Sequence, residues 1–269
     1  TDTYYTDAVS QRTLELLKVQ FPLLTRITTD FSNEPGRLGQ QIITRIVTPP
    51  AVADYHTSNG YVAQTTTTTD VAVTLDKHKA AAVKFDANVM ASTRRELFEE
   101  QLPAQHYSLG KAFVDALYAL ITAGNFTETP TVAGAAMDFT RATVIGIGQT
   151  MTARGVPVTG RVLLLNSEYY GALMSDDAIV NLAANQRPEI ITGNRLPLIH
   201  GFEVIEASSL PGTNNLVGFA LHQNALLLAS RPPADPSQVF EGGTGGARYK
   251  TITNPDTGLS VLLIQHVLP

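Results

Sequence analysis

The sequence predicts an α+β fold, and three features of its patterning predict it. Two β-rich stretches, Gln41 to Thr48 (QIITRIVT) and Thr65 to Phe85, flank a turn-rich segment; an amphipathic helix follows Ser108; and from Asp138 onward helices alternate with short apolar strands.

The elements follow in order. Val9, Leu14, Leu16, Leu17, Phe21 and Leu24 have a loosely helical spacing, so the N-terminal segment reads as an arm whose helix ends near Pro22. Pro35, Gly36 and Gly39 mark a linker, after which Gln41 to Thr48 is rich in β-branched residues and reads as a strand. Pro49-Pro50 stops it, and Asn59-Gly60 signals a turn. From Thr65 to Phe85 the odd positions hold one phase, including Val71, Val73, Leu75, Val83 and Phe85, so a second long strand runs back. Together they make a long hairpin, and a two-stranded hairpin is marginal in water unless it lies on a partner.

Thr93 to Glu96 (TRRE) has capping-box form and opens a short helix that Pro103 is expected to end or kink. A second helix follows Ser108, with Leu109, Phe113, Ala116, Leu117, Leu120 and Ile121 on its apolar face and Gly124-Asn125 at its end. Asp138 is placed to cap a helix that Gly155 terminates. Arg161 to Leu165 (RVLLL) reads as a buried strand, and Ser167 starts another helix. The strands EIITG, GFEVIEAS, NLVGFAL and NALLLAS follow, and the chain closes with a hairpin turned at Asn254-Pro255-Asp256.

Composition narrows the function. The 269 residues suffice for one large or two modest cores, and the absence of Cys excludes disulfides, thiolate metal sites and cysteine nucleophiles. The formal net charge is -5, and no basic run is longer than Arg94-Arg95, which is not the footprint of a protein that grips phosphates. No apolar stretch is long enough for a bilayer, so a soluble chain without membrane partners is expected.

Chemistry-bearing motifs do not assemble. Gly146-Ile147-Gly148 lies inside a predicted helix with Met151 where a dinucleotide loop needs glycine, so close helix packing is the better reading. The glycine cluster at Gly242 to Gly246 lacks the Lys-Ser/Thr of a phosphate loop. No two His stand at i, i+4, and no G-x-S-x-G elbow occurs. The adjacent carboxylates Glu99-Glu100 and Asp176-Asp177 read as solvated surface. No catalytic, cofactor-binding or metal-binding residue is therefore assigned, and no enzyme activity is expected. The hairpin is instead expected to pair between subunits, with Arg45, Tyr55, Tyr61, Thr66 and Thr68 as its contact residues.

In this order the elements resemble the Hong Kong 97-type fold of tailed-bacteriophage major capsid proteins. RVLLLNSEYYGALMSDD is similar to that family's strand and short helix with paired tyrosines, and LIHGFEVIEASSLPGTNNLVGFALHQNALLLASRPP to its run of strands with a small-Leu-Pro turn. VTLDKHKAAAVKFD resembles the base of the extended loop, and ARYKTITNPDTGLSVLLIQHVLP the closing hairpin. The resemblance implies an N-terminal arm (1–40), an extended loop (41–76), a peripheral domain with a spine helix (77–133), an axial domain (134–233), and a connector with the C-terminal hairpin (234–269). It implies self-assembly as pentamers and hexamers around double-stranded DNA bound without sequence specificity, in a virion assembled in the host cytoplasm. Portal and decoration proteins are implied as partners. A chain opening on a short arm implies a separate scaffolding protein or prior cleavage. The family prototype joins a loop lysine to a neighbour's asparagine, but no Lys lies between Gln41 and Asp76, so that cross-link is not expected. An encapsulin-type compartment and an α/β enzyme without recognised motifs are the alternatives.

Overall fold

A computed structural model describes residues 21–31, 34–47, 50–52, 54–55, 57–58, 60, 67–83, 96–126, 135–177, 179, 196–210, 216–234, 248–254 and 259–265. The expected arm helix before Pro22, the capping residue Thr93, the EIITG strand, the glycine cluster and the Pro255-Asp256 turn lie outside these residues. The chain divides into two compact units, one of Thr1–Asp30, Lys79–Leu228 and Asn254–Gly258, the other of Phe31–His78, Ala229–Thr253 and Leu259–Pro269.

The first unit is organised on a mixed sheet. Strand β4 (Arg161–Leu165) lies between β5 (Phe202–Glu206), parallel to it, and β6 (Gly218–His222), antiparallel. Every residue of β4 is buried, as expected of a central strand without polar alternation. Leu163 and Leu165 join one core with Phe202, Val204 and the buried Tyr169, Tyr170 and Leu173. Phe139 and Tyr169 meet edge to face there, 5.6 Å between centroids. On the alternate phase Val162 and Leu164 are also buried, with Ile205 and Leu221. A 3-10 turn (Pro22–Thr25) buries Leu23 and Leu24, and Arg26 after it pairs with Glu203 at 2.7 Å. Strand β1 (Thr28–Phe31) pairs with β7 (Leu227–Ser230).

Among the described residues, three helices of eight residues or longer accompany the sheet. The first, α1 (Glu96–Tyr118), continues through Pro103 as one helix, so the proline does not end it and the two helices expected there are one. Proline removes a single N–H, and the loss of about 3 kcal/mol is borne by a helix of 23 residues whose second half is anchored by packing. Among its described positions, those buried are Gly110, Val114, Leu117 and Tyr118, continued by Ile121; Leu120, assigned to this face from spacing, is 47% exposed. The helix ends at Tyr118, short of Gly124, and the Asn125 amide donates to the Leu120 carbonyl at 2.8 Å to hold the turn beyond it. Lys111 and Asp115 pair at i, i+4, and the hydrogen bond to Asp115 raises the lysine pKa. Burial pushes the Tyr118 phenol up to about 12, with the Asp115 charge adding to it.

The second, α2 (Arg141–Ala153), is not capped by Asp138. Asp138 ends a 3-10 turn (Ala136–Asp138) and accepts from the Ala135 N–H, while Arg141 N–H donates to Asp176 at 3.0 Å. A carboxylate remote in sequence therefore meets the helix N-terminus, a partner that local spacing cannot reveal. Gly155 ends α2 as expected: φ is +76°, and Gly155 and Val156 N–H return to the carbonyls of Thr152 and Met151. The Gly146-Ile147-Gly148 motif lies inside α2, and a Cβ on Gly148 would stand 3.3 Å from the Phe202 ring. Gly148 therefore serves close packing, whereas a Cβ on Gly146 would meet nothing within 4 Å. The third helix, α3 (Ser167–Met174), is capped by the Asn166 side chain, which accepts from Tyr169 N–H at 3.0 Å.

Arg161 ties α2 to β4. It is 3% exposed and donates to the carbonyls of Gly148, Val156 and Pro157 and to the Thr152 hydroxyl, with Phe202 beside its guanidinium. The turn from Ile199 to Phe202 is equally defined. The two residues exchange backbone bonds of 3.0 and 2.9 Å, and His200 and Gly201 between them have φ of 49° and 84°.

The second unit contains two ribbons. Strands β2 (Gln41–Val47) and β3 (Thr68–Thr74) pair antiparallel, and β8 (Arg248–Asn254) and β9 (Leu259–Gln265) pair in a sheet of their own. Strand β3 is far shorter than the Thr65 to Phe85 strand expected: residues 75–83 are not strand. The ladder stops where its partner stops, because β2 begins at Gln41 and a strand needs a paired backbone, whatever its alternation. Leu259 is fully buried, and Ser260 N–H donates to the Ser230 hydroxyl at 2.9 Å.

Candidate assembly surface

The β2–β3 ribbon is where the structure concentrates unused bonding capacity. Its register sets Ile42 opposite Val73 and Thr44 opposite Val71 on one face, and Ile43 opposite Ala72 and Arg45 opposite Asp70 on the other. Apolar residues thus occupy both faces. Ile43 is 61% exposed and Val71 40%, whereas a ribbon lying on its own core would bury one whole phase. Among the described residues neither strand pairs with a third, so each leaves one backbone edge without strand partners.

The root of the ribbon is fixed. Gly39 N–H donates to the Leu75 carbonyl and Leu75 N–H to the Gln40 carbonyl, extending the ladder past the strand ends. Gly36 N–H donates to the Pro232 carbonyl at 2.9 Å, and a Cβ on Gly36 would stand 2.6 Å from the Arg231 Cβ. Only glycine allows the linker to lie that close. The ribbon therefore leaves a defined base as a defined pair of strands.

Of the residues assigned to this surface from sequence, Arg45, Tyr55 and Thr68 are described. Arg45 Nε meets Asp70 Oδ1 at 3.0 Å, with the two side chains 67% and 51% exposed, so the pair contributes at most about 1 kcal/mol and is weakened by salt. Its value is positional, since it marks one register. Tyr55 is 60% exposed and Thr68 is exposed opposite Val47. Tyr61 and Thr66 lie outside the described residues. Sequence reasoning missed Ile43, Val71 and Asp70. The signal was present: QIITRIV places isoleucine on consecutive positions, hence on opposite faces, which a strand with one buried face does not need. Val52 near Tyr55 is 99% exposed and adds to the apolar surface.

No group of three or more potential metal ligands occurs among the described residues, and no described helix is long and apolar enough to cross a membrane.

Comparison with known proteins agrees with a structural reading. No curated protein matches the chain. Among solved structures, one from Mycobacterium phage Che8 is similar, with a TM-score of 0.52, 18% identity, and 83% of this chain and 84% of that chain covered. At that identity the likeness is one of fold. The capsid structure of the cyanophage P-SCSP1u aligns with a TM-score of 0.49 at 12% identity, covering 86% of this chain and 77% of that one. The model of a family described as phage capsid protein matches residues 66–261, more than half of the sequence. The chain therefore belongs to the phage capsid protein family and is a structural component of a virion.

Proposed function

We propose that this chain is a major capsid protein of the Hong Kong 97-type architecture, assembling as pentamers and hexamers into an icosahedral shell around double-stranded DNA, without enzymatic activity. The observation that carries this reading is the β2–β3 ribbon, rooted at Gly36 and Gly39, apolar on both faces and unpaired at both edges among the described residues. Such a ribbon gains stability only by lying on another surface, and a subunit of a closed shell always has one beside it. In this reading residues 41–76 form the extended loop over an adjacent subunit, with Arg45, Tyr55, Tyr61, Thr66 and Thr68 in the contact. Residues 1–40 are the arm, 77–133 the peripheral domain with α1 as spine helix, 134–233 the axial domain, and 234–269 the connector and closing hairpin. A net charge of -5 suits a wall that contains DNA without gripping it. Assembly in the host cytoplasm, with a separate scaffolding protein, a portal and decoration proteins, completes the proposal.

The test is sedimentation and negative-stain imaging of the protein co-expressed with its neighbouring genes, beside a variant lacking Ala51 to Gly60. Closed, uniform shells from the parent and folded but unassembled subunits from the deletion are expected. Shells of normal yield from the deletion would remove the loop from its assigned role. Shells carrying an enzyme and no nucleic acid would replace the virion with an encapsulin-type compartment.

A further inference from the structure

One helix of the first unit ends in two unlike surfaces. Beside the C-terminal half of α2 lies a groove of about 370 Å³, lined by Ile145, Gln149, Val158, Arg161 and His200 among others. Val158 is 53% exposed on its lip. From Ala142 to Asn166 the sequence contains no Asp or Glu, and its charges are Arg154 and Arg161. The hydrogen bonds of Arg161 go to neutral oxygens, and among the described residues no carboxylate forms an ion pair with it. The helix C-terminus offsets roughly half a charge, which leaves the groove floor positive.

The other end of α2 reverses both signs. Met137 is 88% exposed, next to exposed Asp138, in the 3-10 turn that packs against α3. Asp176, at the end of α3, meets the first N–H of α2, and Asp177 beside it is exposed. An apolar side chain thus stands among Asp138, Asp176 and Asp177 with one exposed cation, Arg141, at the same end, a net acidic surround about 20 Å along the helix axis from an apolar groove floored by the buried Arg161. Each surface complements the other, and neither complements itself.

We infer that the Met137 and Asp177 surface of one copy docks in the Arg161 groove of the next. The occupant is a second copy of this chain, identified by the match of charge and apolar character. A contact between two different patches is head-to-tail, and head-to-tail contacts close into rings when the rotation permits. A thioether is well suited to such a joint, because its flexibility lets it fill a groove at more than one subunit angle. The inference rests on the shell reading for its setting and adds to it the residues that join neighbours.

The chain has no Cys, so engineered disulfides report contacts without background. The Met137→Cys, Val158→Cys double variant is assembled, its shells are pelleted, and they are oxidised with copper phenanthroline and run on a non-reducing denaturing gel. A ladder rising from dimers to closed rings, with most subunits in multimers, is expected. Each single variant should stay monomeric, and a mixed assembly of the two single variants should yield dimers only. Normal shells that return monomers overturn the inference and leave the shell reading standing, whereas failure of the parent chain to form shells strikes the shell reading. Dimers from Val158→Cys alone also overturn it, because they show a symmetric contact. If the double variant does not assemble, Asp177→Cys with Gln149→Cys, both at exposed positions, gives the same readout, and monomers there count equally against it.

Discussion

Replacing Gly201 with alanine tests the two-residue turn between Ile199 and Phe202. Gly201 has φ of 84° and follows His200 at 49°, so both central residues of this two-residue turn are left-handed. Histidine tolerates that region better than most residues, while alanine at the second position costs roughly 1 kcal/mol in backbone strain. A steric cost adds to it. The new Cβ would stand 2.6 Å from Val158 Cγ1, too close to coexist with the present rotamer. Val158 is 53% exposed and can turn away, at about 1 kcal/mol for leaving its preferred rotamer. The expected total is about 2 kcal/mol, roughly a thirty-fold shift in the folding equilibrium. Urea unfolding of unassembled subunits measures it, and the same substitution in a Val158→Ala background separates the terms, since only the backbone part of about 1 kcal/mol should survive. An equal cost in both backgrounds would refute the contact. No cost in either would refute the turn geometry itself.

Two further predictions concern buried polar groups. Arg161→Met should lower stability by about 3 kcal/mol, because methionine keeps the bulk but strands the carbonyls of Val156 and Pro157 and leaves the Thr152 hydroxyl only its bond to the Gly148 carbonyl; an unchanged urea midpoint would show that water satisfies them equally well. Tyr118 has a folded pKa of about 12 against about 10 when unfolded, so it contributes stability that is complete below pH ~10 and lost as pH rises toward 12. The difference amounts to about 3 kcal/mol, and the extra alkaline loss of the parent over Tyr118→Phe, followed by urea unfolding from pH 9 to 12, should account for it; parallel curves would contradict the burial of the phenol.

The parts of the fold that were legible in the sequence are those decided locally. RVLLL has no polar alternation, and a central strand buried on both sides needs none; SEYYGALM follows a capping asparagine and has helical spacing. Errors arose where a distant partner decided the outcome. Alternation runs from Thr65 to Phe85, but β2 offers pairing only to Thr74. Asp138 has the right type and place for a cap, yet Asp176 arrives from just beyond the end of α3. Leu120 fits the apolar spacing of α1, but the helix has already ended at Tyr118. The candidate surface was half legible: the hairpin and Arg45 stood out, while Ile43 and Val71 gain meaning only once both faces are seen to be exposed. Arg161 was not legible as a clasp, because its partners are spread from Gly148 to Pro157 and meet only in three dimensions.

The paired ribbon carries a hazard for the free subunit. A backbone edge open to a neighbour is equally open to any other extended chain, and strands of this composition template aggregation. What restrains it is the middle of the ladder, where Arg45 and Asp70 face one another across both strands. A stray strand added against either edge would have to accommodate one of these charges, and a slip by a single residue would exchange the two faces. The pair that adds little to the stability of the ribbon therefore acts as a gatekeeper, delaying wrong pairings until the right surface is at hand.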